Sequence, residues 1–244
     1  MTITARRPTA DRQTSHEDDR FVASALFGLA ALLALYQAVT APFIPVLTVF
    51  TVVYVAVGIG LWRAPRRWVH VVAGLVAVAY LAGAAPVFIE HFAHPESPLG
   101  FVIDALLLVG LVLVIAGVVR ALRGAGPGRR TLLVGAGALA VAATVVSLAA
   151  AAGVDSDARQ PDDLALEVTD WVFPDTTVPA STPAIWVDNQ DPFHHTFVVE
   201  GAGIHEALPA SAAVRIPLEL APGTYIYLCD VPGHEEMRGE LVVH

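Results

Sequence analysis

Five long apolar runs dominate the first 152 residues: Phe21–Val39, Phe43–Trp62, Trp68–Ile89, Phe101–Val119 and Thr131–Ala152. A bilayer's hydrocarbon core takes about 20 apolar residues of helix to cross, and each run has that length. In lipid the backbone must bond within its own segment, so such runs fold as helices. Pro42 and Pro45 break the first pair, and the stretch from Gly124 to Gly128 breaks the last. Tyr36, Trp62 and Trp68 sit near run ends, where interfacial aromatics gather. Phe21–Val39 is long for the apolar core of a cleaved signal. The expectation is a tail over 1–20 followed by a bundle of five transmembrane helices over 21–153.

Arginine orients the bundle, because cationic loops stay on the cytoplasmic side. Arg6, Arg7, Arg12 and Arg20 precede the first run. Arg63, Arg66 and Arg67 lie between the second and third, and Arg120, Arg123, Arg129 and Arg130 between the fourth and fifth. The alternate loops, Thr40–Pro42 and Glu90–Gly100, contain no Arg. The N-terminus is therefore expected in the cytoplasm and the C-terminal part outside.

Charge divides the chain in the same place. The first 153 residues hold 11 Arg against 7 acids, the remainder 3 Arg against 16 acids. An acidic outer part excludes nucleic acid as a partner, since phosphates demand the opposite sign. Ionisable residues inside the membrane are the usual mark of a transport or proton path, and the run centres carry none; an anchor or assembly scaffold is the expected role. The small-residue spacings Ser24/Gly28 and Ala138/Ala142 point to close helix packing. The outward loop carries Glu90, His91, His94 and Glu96, with Asp104 beyond it. Two readings stand for this loop: a solvated polar segment, or a metal site in which His91 and His94 share a helical face.

Residues 154–163 are polar and acidic and contain Pro161, which predicts an exposed tether. From Leu164 the apolar period changes to two. Strands are expected over 164–173, 184–188, 196–200, 214–220, 224–229 and 239–243, with turn signals between them. Short strands at this spacing predict an all-β Greek-key sandwich over 164–244, built from antiparallel neighbours.

The chemistry concentrates in Cys229-Asp-Val-Pro-Gly-His234-Glu-Glu-Met237. Cys229 is the chain's single cysteine, so no intrachain disulfide or multi-Cys metal site is available to it. Thiolate, imidazole and thioether within one loop, joined by a distant His, form the His₂Cys set with a weak axial Met that suits copper electron transfer. Two histidines compete for the distant place, His194 and His195. Neighbours on a strand point to opposite faces, so one metal cannot take both. His195 shares its face with Phe197 and Val199, the more apolar set, and is therefore the expected ligand.

These motifs resemble the cupredoxin family of plastocyanin- and azurin-like blue copper proteins. The resemblance covers about residues 164–244. It rests on Asn189…His195-Thr196-Phe197 and on Pro222-Gly223-Thr224-Tyr225…Cys229…Pro232-Gly233-His234…Met237-Arg238-Gly239. It implies copper held by His195, Cys229, His234 and Met237 as one type 1 centre, and a redox partner protein or membrane electron-transfer complex. A single Cys excludes a binuclear oxidase-type copper centre, and the lack of His-x-His pairs excludes a trinuclear cluster.

The expected function is one-electron transfer outside the membrane, with His234 as the exposed edge toward a partner. Copper storage, delivery or sensing with the same ligands is the alternative. No substrate pocket is legible, so an enzyme is not expected.

Overall fold

A computed structural model describes residues 9–40, 43–124 and 126–244, with side chains from His16 onward. Arg6, Arg7 and Pro42, and the side chain of Arg12, lie outside the described residues. The helices are α1 (Thr9–Val39), α2 (Pro45–Arg63), α3 (Arg67–Ala93), α4 (Pro98–Arg123) and α5 (Arg129–Ala151). All five are long and apolar enough to cross a membrane. Pro45 opens α2 and Pro98 opens α4, where a missing N–H costs nothing. Gly124 ends α4 at φ +66, a left-handed conformation that a side chain would resist, and its N–H returns to Arg120 O at 2.8 Å.

The helices and the C-terminal part divide into two compact units. The first holds α1, α2, the first two-thirds of α3, and the Arg-bearing ends of α4 and α5. Here α1 begins well before its apolar run, because its acids find partners. Asp18 takes a hydrogen bond from Arg120 at 2.9 Å, Glu17 pairs with Arg129, and Asp19 lies 3.0 Å from His70. The expected Ser24/Gly28 and Ala138/Ala142 packing is not seen: all four residues are exposed. The close approaches occur at other glycines. A Cβ at Gly58 would meet the Phe27 ring at 2.7 Å, and one at Gly110 would meet Leu29 at 2.6 Å. Spacing alone locates small residues but not the helix that seeks them. Leu133, Val134 and Leu139 of α5 are more than half exposed, a surface that suits lipid and not water.

The second unit holds Ala85–Asp104, the end of α5 and the entire β region. Its strands are β1 (Leu164–Val168), β2 (Thr176–Val178), β3 (Ala184–Asn189), β4 (His195–Val199), β5 (Ile204–Leu208), β6 (Ala212–Pro217), β7 (Gly223–Leu228) and β8 (Arg238–Val243). They form a three-stranded sheet, β1-β3-β6, and a five-stranded sheet, β2-β8-β7-β4-β5. Between the sheets lie Val168, Ile185, Val187, Phe197, Val199, Leu208, Ile216, Tyr227 and Leu241. Phe197 is fully buried, with ring centroids 5.0 Å from Tyr227 and 5.9 Å from Phe173.

The antiparallel expectation needs correction, because the sheets are mixed: β1 runs parallel to β3, and β2 parallel to β8. The chain leaves β1, crosses to the other sheet as β2, and returns as β3 in its original direction. Neither β2 nor β5 was expected. β2 has only 3 residues, and β5 is an edge strand whose exposed His205, Glu206 and Ala207 break the alternation. The segment expected as a tether, 154–163, is exposed over 155–162 and also bonds to the sheet. Asp157 O accepts from Trp186 Nε1 at 2.7 Å, and the Asp163 carboxylate takes Arg215 at 2.8 and 2.9 Å.

Candidate metal centre

The first stretch expected as one strand, 164–173, breaks after Val168. Asp170 and Trp171 take φ of 55 and 62, a region that non-glycine residues avoid. A carboxylate holds them there. Asp191 Oδ1 accepts from Asp170 N at 2.8 Å, and Oδ2 accepts from Trp171 N at 3.1 Å. The same Oδ2 lies 2.9 Å from His195 Nε2. One buried side chain therefore fixes both a strained turn and an imidazole.

Asn189 fixes the loop that carries Asp191. It is fully buried; its Nδ2 donates to Phe193 O, Leu208 O and Pro209 O at 2.9–3.0 Å, and its Oδ1 accepts from Asp191 N at 3.1 Å. Such complete satisfaction is what a polar group needs in a core.

The second half of the centre is the loop from Cys229 to Arg238. Cys229 N donates to Met237 O at 3.0 Å, His234 N to Val231 O at 3.0 Å, and Met237 N to His234 O at 2.8 Å. Gly233 turns at φ +94. These bonds curl the β7–β8 loop so that His234 meets His195 at the start of β4. His195 Nδ1 and His234 Nδ1 are 3.1 Å apart, and Cys229 Sγ lies 3.4 Å from His234 Nδ1 and 3.9 Å from His195 Nδ1. All three residues are at most 4% exposed. Met237 is 2% exposed in the same core cluster as Cys229 and Val231.

Thr196 joins the two halves. Its N–H points at Cys229 Sγ at 3.4 Å, its hydroxyl donates to Asp230 Oδ1 at 2.7 Å, and Asp230 N returns a bond to that oxygen at 2.9 Å. Electrostatics separate the donors. Burial, reinforced by the neighbouring imidazoles, pushes His234 down to about 2 and leaves its ring neutral. Burial pushes the Cys229 thiol up, against the pull of the Thr196 hydrogen bonds. The pocket alone does not ionise the thiol; an adjacent cation would, as metals do for coordinating thiols.

A metal–nitrogen bond of ~2.0 Å and metal–sulfur bond of ~2.3 Å at wide angles place donors roughly 3–4 Å apart. The three observed separations match that spacing. Two imidazoles and one thiolate are also a donor set that copper favours.

Sequence reasoning missed Trp171, whose ring centroid is 4.1 Å from that of His234 and 5.7 Å from that of His195. It also missed Asp191, whose carboxylate holds both the Trp171 turn and the His195 ring. His234, expected as the exposed edge, is buried, and Trp171 lies against it. His205 is exposed and pairs with Asp230 at 3.0 Å. In the Glu90–Gly100 segment, α3 runs to Ala93, and His91 Nδ1 lies 2.7 Å from the buried Asp104 carboxylate. His194 turns away from His195, toward Glu90.

Residues 137–243 match the family model of the cupredoxin-like domain. The match opens inside α5 and runs through β8. No curated protein matches the chain. The C-terminal part of this protein is a cupredoxin-like domain, and five long apolar helices precede it.

Proposed function

We propose that this protein is a membrane-anchored type 1 copper protein that carries single electrons at the outer face of the membrane. The observation that carries this reading is the convergence of His195, Cys229 and His234 in a buried pocket. In the proposal these three bind copper, with Met237 as the weak axial donor, and residues 164–244 are the copper-binding part. Copper bound there supplies a one-electron couple.

The chain's own residues then do three things. Asp191 and the Thr196–Asp230 bonds hold the donors in place, so little moves when the charge changes. Burial keeps water off the thiolate. Trp171, against His234, is the side chain through which a redox partner approaches. The absence of any second Cys or Met-rich tract to pass metal onward favours a carrier over a copper-delivery module.

Cyclic voltammetry of the copper-loaded chain in detergent, with a Cu(I) chelator present, tests this. A carrier keeps its signal through repeated cycles. Loss of the signal within a few cycles sinks the electron-transfer reading and leaves copper delivery.

The outward orientation has separate support. The Arg-bearing ends of α3, α4 and α5 fall in one unit, and the Arg-free ends of these three helices share the other with the sandwich. A reporter fused after His244 is expected to read outside, and one after Gly126 inside. An inside signal from the C-terminus overturns the orientation.

A further inference from the structure

The strand alternation that gives His195 to one site delivers His194 to another. His194 Nε2 lies 3.2 Å from Glu90 Oε1, and His94 Nε2 lies 3.5 Å from the same oxygen. The ligand atoms of these three residues fall within 4.8 Å of one another. His194 is 1% exposed, and its Nδ1 has no partner among the described residues. An unpartnered imidazole nitrogen in a buried site costs free energy unless something else supports the ring.

His94 carries the sharper signal. Its Nδ1 lies 2.8 Å from Glu96 Oε1, so that nitrogen carries the proton. In the neutral ring Nε2 is then a lone pair, and it faces a carboxylate oxygen. Such a contact needs a cation between the two atoms, a metal ion or a proton on Nε2. A carboxylate behind an imidazole is also the usual support for a metal-binding histidine, because it fixes tautomer and ring orientation.

We propose that Glu90, His94 and His194 form a second metal site, for a divalent first-row cation. Two imidazoles and one carboxylate suit Zn²⁺ or Cu²⁺; they are too few oxygens for Ca²⁺ and lack the sulfur that Cu⁺ prefers. The His94 ring stacks on His194 with centroids 4.0 Å apart, so closing on a metal takes a rotation of His94 out of the stack. The Glu90 and His94 side chains are 30% and 27% exposed, which leaves the ion a way in from solvent. Such a site ties the end of α3 to β4. It also sits one peptide bond from His195, so the two sites share a backbone link.

The test is a Cu²⁺ titration of the full chain in detergent, with bound copper counted by elemental analysis and typed by electron spin resonance. About two equivalents are expected, of which one lacks thiolate colour, as a nitrogen and oxygen donor set requires. His94→Ala and Glu90→Gln should each lose the colourless equivalent and keep the coloured one. Neither residue belongs to the thiolate centre, so a failed blue centre shows separately, as loss of the coloured equivalent. A colourless equivalent that survives both substitutions, or that is absent from the unmodified chain, overturns the proposal. The second outcome assigns the place between Glu90 and His94 to a proton. Far-ultraviolet circular dichroism guards against misfolding, and Glu90→Asp, which keeps the carboxylate, should regain binding in part.

Discussion

Replacing Cys229 with Ser is expected to abolish the intense visible absorption of the copper-loaded chain. The sulfur is the only thiol in the sequence and lies within 3.9 Å of both ring nitrogens. Serine has nearly the same shape and the position is 2% exposed, so the fold should tolerate the change. The loss is chemical: a hydroxyl stays protonated where a metal takes the thiol's proton, and oxygen gives no thiolate charge-transfer band. Copper affinity should fall by more than the roughly 10–100-fold typical of changes behind a ligand. Thr196→Val is the matched control. It removes the hydroxyl that bonds Asp230 but leaves every donor, so colour should persist with a shifted maximum. Colour that survives in Cys229→Ser means the metal is not bound through this sulfur, and the blue-copper reading fails.

Phe197→Ala is expected to cause the largest loss of stability of any single change in the sandwich, about 3–5 kcal/mol. Phe197 is fully buried between Phe173 and Tyr227, and its backbone pairs with β5. The ring sits where the two sheets meet, so neighbours held by their own strands cannot collapse into the void. For a unit of about 100 residues, each kcal/mol moves the melting midpoint by roughly 4–8 °C. A drop of roughly 12 °C or more should therefore appear in thermal scans of the chain in detergent. Ile226→Ala on the neighbouring β7, at 37% exposure, should cost less than about 1.5 kcal/mol. Equal effects at the two positions would mean that the sheets do not pack through Phe197.

Much of this structure is legible in the sequence because much of it is local. A membrane helix is set by the length of one apolar run, and all five appear where apolar runs of that length occur. Cys229, His234 and Met237 lie within nine consecutive residues, so one loop suffices to gather them. The separation of His194 from His195 follows from the two-residue period of any strand, whatever it packs against.

Contacts between distant segments had no such signal. The sequence expectation of antiparallel strands failed at β1 with β3 and at β2 with β8, because pairing direction depends on where the chain crosses between sheets. Trp171 reaches the candidate centre only because Asp191, 20 residues on, accepts its N–H and holds a backbone angle that residue type alone disfavours. Thr196 bonds to Asp230 across 34 residues.

The second cluster makes the division plainest. Glu90 and His94 were visible as a polar loop with two open readings, and His194 only as the histidine facing away from the apolar side. Nothing in either segment names the other, since periodicity and spacing report on a few neighbouring residues. The sequence by itself determined five spans, a run of β-strands and a Cys–His–Met loop. Tertiary structure decided the strand directions, the cover over His234 and the meeting of His194 with Glu90, 104 residues earlier in the chain, because packing in three dimensions alone sets which distant side chains share a site.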